Sequence, residues 1–213
     1  MQPVHVVSQR RGGVYRRGVK RAFDTLLILL ALPFVLPLMV VMALAVMRDG
    51  GNPFYTQTRI GQDGRRFRMW KMRTMVPNAA VHLEQYLAAH PEARAEWDKS
   101  QKLKDDPRIT SVGRVLRRTS LDELPQLLNV LNGTMSLVGP RPMMACQQAL
   151  YHGTRYYNLR PGITGFWQVS DRNEGDFVGR VAHDDAYDVQ VSLKTDIAVL
   201  WRTVGVMLRC TGY

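Results

Sequence analysis

Cysteine is nearly absent from this chain: there are two, Cys146 and Cys210, in 213 residues. Two thiols cannot form a disulfide framework, and their spacing suits no zinc knuckle, so the chain reads as folding in a reducing, cytosolic setting. Histidine is also sparse, and His5, His82, His90, His152 and His183 show no metal-ligand spacing. Acidic residues are outnumbered, with 18 Asp and Glu against 29 Lys and Arg, a net charge of +11. The partners are therefore anionic: nucleic acid, anionic lipid or phosphorylated substrates. No Gly-x-x-x-x-Gly-Lys-Ser/Thr loop and no dinucleotide fingerprint occurs. Aromatic stacking platforms are missing, and the basic residues gather around short motifs rather than along one helical stripe, which argues against nucleic acid.

Charge is missing altogether from Thr25 to Met47. That run reaches the roughly 20 apolar residues a membrane-spanning helix needs. It is too long for a signal peptide and has no small-residue cleavage site behind it. A soluble core helix would keep a polar face. Arg10, Arg11, Arg16, Arg17, Lys20 and Arg21 precede the run, and Arg48, Arg59, Arg65, Arg66, Arg68, Lys71 and Arg73 follow it. The positive-inside rule draws both flanks to the cytoplasmic side, which a straight span cannot satisfy. Pro33 and Pro37 each remove a helix hydrogen bond and favour a kink. A kinked, re-entrant helix that enters and leaves by one leaflet reconciles charges and prolines, its basic flanks gaining about 1 kcal/mol per residue on anionic headgroups. Asp24, at the membrane mouth, is placed to pair with Lys20, Arg21 or a backbone amide rather than enter lipid bare.

The remainder predicts an α+β, mostly helical chain. Residues 1–18 read as a basic flexible arm, 19–48 as the membrane-inserted kinked helix, and 49–213 as a compact cytoplasmic catalytic domain. The turn cluster 49–53 closes the membrane element. Phe54–Arg59 and Phe67–Arg73 alternate around Gly61-Gln-Asp-Gly64, a β-hairpin with basic residues along one face. Residues 78–104 read as a surface helical excursion broken at Pro91. A short helix or turn covers 112–118, helices cover 124–131 and 143–152, Arg160–Gly165 is a glycine-rich loop, Phe166–Val169 a short strand, and 193–209 a terminal helix.

Two carboxylates, Asp122 and Glu123, stand where a helix starts. Ser120 and Glu123 match a capping box, which would make the acids structural. Pro125 favours a cap at Asp122 instead, since a proline fits inside the first turn. Orphan amides would then hold the pair ionised beside a phosphate site, fit for a nucleophile or metal ligand. Arg117 offers a planar donor fork suited to a diphosphate. Arg141, between Pro140 and Pro142, is preorganised by its neighbours. Arg160-Pro-Gly162 repeats the device, and Gly162 with Gly165 permits close approach to a ligand. The rival reading is a basic membrane-anchored binding module without catalysis.

Lys20-Arg-Ala-Phe-Asp24, Lys71-Met-Arg-Thr-Met75, Asp106-Pro-Arg-Ile-Thr110, Leu116-Arg-Arg-Thr-Ser-Leu-Asp-Glu-Leu-Pro-Gln126, Leu137-Val-Gly-Pro-Arg-Pro142 and Arg160-Pro-Gly-Ile-Thr-Gly-Phe-Trp-Gln168 occur in one order. From about residue 19 onward the chain resembles the bacterial sugar transferase family, the monotopic polyprenyl-phosphate phosphoglycosyl transferases, in its small exopolysaccharide-initiating form. The resemblance implies transfer of hexose 1-phosphate from a UDP-sugar, galactose or glucose first, to undecaprenyl phosphate with release of UMP. It implies Asp122 as the nucleophile that carries a covalent phosphosugar, Glu123 as the Mg²⁺ ligand, and Arg73, Arg117, Arg141 and Arg160 around the substrate phosphates. Pro37 matches the family's kink proline, although Leu36 replaces the usual preceding serine. The implied location is the cytoplasmic face of the bacterial inner membrane. The implied partners are the UDP-sugar donor, the polyprenyl phosphate acceptor and membrane lipids; self-association as a homo-oligomer is left open, and nucleic acid is not among them. The family's Asp-x-x-Tyr-Val run appears as Asp184-Asp-Ala-Tyr187-Asp188, an alteration expected to bear on donor choice.

Overall fold

A computed structural model describes residues 13–48, 50–100, 103–170 and 179–208. The chain is mostly helical. A π-helical turn, Tyr15–Val19, leads into α1 (Lys20–Met47), an apolar helix continuous through Pro33 and Pro37. The expected arm therefore lies outside the described residues only as far as residue 12, and its last part is helical. The expected turn at 49–53 includes Asp49, also outside them. An antiparallel hairpin follows, β1 (Phe54–Ile60) with β2 (Arg66–Met72), Phe54 facing Met72 and Ile60 facing Arg66. The strands turn where Asp63 and Gly64 take left-handed φ values of 57° and 72°.

Next come α2 (Ala79–Ala89) and α3 (Pro91–Ser100), then α4 (Ser111–Thr119) and α5 (Gln126–Leu131). The helical excursion breaks at Pro91 as expected, and buries a small cluster of its own around Leu83, Leu87 and Ala93. Two three-residue strands, β3 (Ser136–Val138) and β4 (Gly162–Thr164), pair in parallel. A short helical turn α6 (Phe166–Val169) precedes α7 (Arg180–Gln190) and α8 (Leu193–Leu208). The predicted strand at 166–169 is thus a helical turn, because four residues carry too little periodicity to separate helix from strand. The predicted loop at 160–165 holds β4. The close approach its glycines permit is to the segment leaving β3: a Cβ on Gly162 would fall 2.1 Å from the Gly139 nitrogen. The helix foreseen at 143–152 is a 3₁₀ stretch, Ala145–Leu150. Residue 209, the expected end of α8, and Cys210 lie outside the described residues, while Cys146 is a free, exposed thiol.

Both ends of α1 dock on the same body. Ile28, near its start, packs with Phe67 and Met69 of β2, Val130 of α5 and Met135. Met42 and Val46, near its end, pack with Met72 of β2 and Leu116 of α4. Ile28 and Met42 stand about 21 Å apart along an ideal helix. Between them the side chains face outward, with Phe34 80% exposed and Leu30 64%. Among the described residues one helical stretch, Tyr15–Met47, is long and apolar enough to cross a membrane, and 11% of its most apolar window is buried. Such a surface needs an apolar covering that the domain does not provide.

Polar contacts fix the helix ends. Asp24 accepts from Ser136 Oγ at 2.5 Å. Lys20 pairs instead with Asp196 at 2.5 Å, and Arg21 donates to the carbonyls of Val130 and Leu131. Asp24 still feels the charge of Lys20, as expected, and the membrane mouth is tied in addition into β3, α5 and α8.

Candidate active site

Asp122 and Glu123 sit on a 3₁₀ turn, Leu121–Glu123, between α4 and α5. Ser120 ends α4 in the left-handed region at φ 57° and makes no side-chain cap hydrogen bond. The capping box and the helix start at Asp122 are both corrected: α5 begins at Gln126, with Pro125 in the cap position. The carboxylates are held on a tight corner rather than presented to a helix's orphan amides.

Four sets of contacts hold that corner. Thr110 caps α4, its hydroxyl accepting from Gly113 N at 2.9 Å. Gly113 packs so close to the chain leaving β2 that a Cβ there would fall 2.0 Å from Thr74 O. Upstream, the Arg108 guanidinium donates twice to Asp106, at 2.8 and 2.6 Å. On the far side Asn129 of α5 accepts from Trp70 N and donates to Arg68 O, tying α5 to the edge of β2.

Period-two alternation along β2 puts Phe67, Met69 and Lys71 on its inner face. Phe67 and Met69 enter the core, and Lys71 reaches the acids: Nζ lies 2.9 Å from Glu123 Oε1 and 3.4 Å from Asp122 Oδ2. Burial raises the Asp122 carboxyl above its ordinary pKa; Lys71 pulls it down, Glu123 pushes it up, and Arg117 also lowers it. This reverses the expected downward shift, because the corner supplies desolvation where a helix N-terminus would supply amides. For Lys71, burial lowers the pKa, but Glu123 and Asp122 outweigh it and the net direction is upward. Sequence reading placed Lys71 among the flanking basic residues. Its register with two core residues was the signal that it is buried.

The predicted arginines separate into three places. Arg117 donates from Nε to Thr74 Oγ1 at 2.9 Å, beside the acidic corner. Arg141 shares with Glu123 a cleft of ≈ 170 Å³, between α5, β3, β4 and α8. Arg160 lines a different cavity, of ≈ 560 Å³, with Arg16, Arg17, Lys20 and Arg21 at the start of α1. Arg73 is elsewhere again. Its guanidinium donates to the carbonyls of Val46 and Gly50, and to Asn52 O and Met75 O at 3.0 and 3.3 Å. It thus satisfies orphan carbonyls at the end of α1.

Two further arginines were not foreseen. Arg59 is pressed below its usual pKa first by burial and then by the charge of Arg141, and its Nε is buried without a hydrogen-bond partner. Arg180 is likewise lowered, first by burial, with Asp184 opposing and Arg141 adding to the shift, and it donates to Arg141 O. Like charges gathered this way call for an anion. Among the described residues no three His, Cys, Asp or Glu side chains converge to hold a metal. One or two carboxylates completed by substrate phosphate oxygens is the donor set that suits Mg²⁺.

The match to known proteins now decides the family: residues 15–210 fit the bacterial sugar transferase description. The chain belongs to the bacterial sugar transferase family. This bacterial sugar transferase is 48% identical over 198 residues to a UDP-galactose-lipid carrier transferase of Erwinia amylovora and, equally, to an undecaprenyl-phosphate galactose phosphotransferase of Salmonella typhimurium. Each alignment takes in 92% of this chain but 42% of the relative, so the chain spans less than half the length of those proteins. Against an exopolysaccharide production protein ExoY of Sinorhizobium fredii it is 45% identical, with 93% of this chain and 90% of the relative covered. The matched span includes α1, the acidic corner and all four of the predicted arginines.

The altered run in α7 has a structural role. Asp184 accepts from Tyr151 Oη at 2.7 Å, Asp188 pairs with Arg16, and Tyr187 Oη donates to Val138 O and to Asp196. These buried groups bind α7 to the rest of the domain.

Proposed function

We propose that this protein transfers hexose 1-phosphate from a UDP-sugar to undecaprenyl phosphate, releasing UMP, as an opening step of exopolysaccharide or other surface-glycan assembly. The observation that carries this reading is the buried Asp122–Glu123 corner, charge-balanced by Lys71, with Glu123 sharing its cleft with Arg141. Two relatives at 48% identity are named for galactose and two at 37% for glucose, which favours galactose as the donor sugar.

In the first step a carboxylate oxygen of Asp122 attacks the sugar-bearing phosphorus, and the bond to the bridging oxygen breaks with UMP taking the electron pair. In the second, an oxygen of the polyprenyl phosphate attacks the same phosphorus and Asp122 departs as a carboxylate. Lys71 and Arg117 oppose the rise that burial imposes on the Asp122 carboxyl. Arg141, with Arg59 and Arg180 behind it, offers positive charge to the diphosphate. Glu123 is the residue to hold Mg²⁺, which when bound neutralises diphosphate charge. Arg160 faces the basic cavity at the membrane mouth and is assigned to lipid or acceptor phosphate there.

The docking of both ends of α1 on one body supports a monotopic placement, which we assign to the cytoplasmic face of the inner membrane. A helix with both ends packed on one domain cannot put those ends on opposite sides of a bilayer. Its outward apolar middle would enter one leaflet, with Pro37 as the bend and the basic flanks on headgroups. A cysteine placed in the N-terminal arm should resist periplasmic thiol reagents; labelling there contradicts this topology. For the chemistry, UMP release across a panel of UDP-sugars, with polyprenyl phosphate in nanodiscs, should peak with UDP-galactose. No release from any UDP-sugar sinks the reading.

A further inference from the structure

Gln168, in the α6 turn, is 8% exposed, and both polar atoms of its side chain, Oε1 and Nε2, are buried without a hydrogen-bond partner among the described residues. It lines the same cleft as Glu123 and Arg141. The turn is seated firmly: Gly165, just before it, lies where a Cβ would fall 2.0 Å from Gly139 O, so α6 rests on the segment that leads to Arg141. Much of the cleft wall is aliphatic, from Leu127, Leu137, Ile163 and Leu200. Thr164 and Thr203 also line it, but their hydroxyls bond each other at 2.7 Å. A buried primary amide with no protein partner at either end is uncommon in a folded interior and points to a partner that arrives with a ligand.

The geometry points to a pyrimidine subsite, in which Gln168 reads the imide edge of uracil and the aliphatic wall covers the faces of the ring. This rests on the UDP-sugar reading above. A carboxamide offers one acceptor beside one donor. Uracil presents the complement, N3–H beside a carbonyl, so one flat ligand satisfies both vacant atoms. A hexose carries several hydroxyls, and a mostly aliphatic cleft with one vacant amide would leave most of them desolvated and unpaired. An isoprenoid tail suits the wall but leaves the amide dry. Arg141 on the same cleft supplies the positive charge required by phosphates joined to the base.

The test measures binding of UMP and of 3-methyl-UMP, whose N3 cannot donate, to the full chain in nanodiscs. Loss of the hydrogen-bonded edge should weaken binding about tenfold or more, equivalent to about 1.4 kcal/mol. Wild type should therefore prefer UMP by that factor. Gln168→Met, apolar and of similar length, should bind both nucleotides alike and raise the KM for UDP-galactose by a similar factor, with the KM for undecaprenyl phosphate unchanged. A wild-type protein that binds the two nucleotides equally overturns the inference without any variant. So does a Gln168→Met protein that keeps the preference, or one whose only change is a higher KM for undecaprenyl phosphate, the signature of an isoprenoid occupant. UMP release by wild type reports separately on the parent reading: an enzyme that releases UMP but ignores the N3 methyl keeps its proposed function and loses this subsite.

Discussion

Two of the regions that hold buried aspartates differ in their surroundings. On α7 and α8 each is matched to its own donors. Asp196, fully buried, accepts from Tyr15 and Tyr187 at 2.7 Å each and from Lys20 at 2.5 Å. Asp188 takes Arg16 and Asp184 takes Tyr151. At the corner between α4 and α5, Asp122 and Glu123 share the single ammonium of Lys71, and the neighbouring guanidinium groups crowd one another. The first arrangement is complete without a ligand and locks α1 to α8. The second leaves an excess of positive charge beside two acids, which an incoming diphosphate would relieve. Burial is common to both sets of carboxylates; the balance of donors around them is what differs, and it is on this that the proposed reactivity of Asp122 rests.

That contrast can be broken most sharply with matched asparagine variants. Asp122→Asn should lower transfer by about three orders of magnitude or more while leaving the melting temperature within a few degrees, since on the proposed chemistry it removes a nucleophile rather than a lock. Asp196→Asn should instead cost about 3–5 kcal/mol by leaving Lys20 buried and unpaired, and be read as lost folded protein in denaturation. Equal stability losses in the two variants would erase the distinction. Next in size, Lys71→Met should reduce kcat by about a hundredfold, and Lys71→Arg should restore part of it, measured as UMP release. Arg73→Ala should weaken the end of α1 by about 1–3 kcal/mol with little change in kcat/KM per folded molecule. A large kcat/KM loss in stable protein would return Arg73 to the phosphate site.

The smallest effect concerns pH. Burial raises the Asp184 pKa to about 6, against pulls downward from the Tyr151 hydrogen bond and Arg180. An acid with a raised folded pKa keeps its proton in the native state when the unfolded chain has lost it. Its contribution therefore favours folding at low pH and is lost as pH rises from near 4 to about 6. Asp184→Asn should flatten the stability profile in that window, read as the thermal midpoint at each pH.

Much of this was legible in the chain. The uncharged run from Thr25 to Met47 announces α1, and alternation around Gly61–Gly64 announces the hairpin. The Asp122–Glu123 pair stood out through its basic neighbours. The corner that carries it did not, because Ser120 adopts a left-handed conformation usually signalled by glycine. Lys71 was hidden among exposed basic residues by composition, although strand register separates it from Arg66 and Arg68. Arg73 and Arg160 lie in motifs beside the acids yet face other parts of the fold, since proximity in sequence does not fix where a long side chain points. Gly162 serves strand pairing, and only the pairing of β3 with β4 reveals it. Gln168 shows no sequence signal of its vacancy, which arises from walls contributed by α5, β3, β4 and α8.

The central claim is that Asp122 is the group that takes the sugar phosphate. Incubating the purified chain with UDP-galactose and Mg²⁺ in the absence of polyprenyl phosphate, then quenching and mapping peptides by mass spectrometry, tests it most directly. The account predicts a hexose-phosphate adduct on Asp122 that disappears on adding undecaprenyl phosphate. An adduct on another residue, or UMP release at full rate from Asp122→Asn with acceptor present, would contradict it.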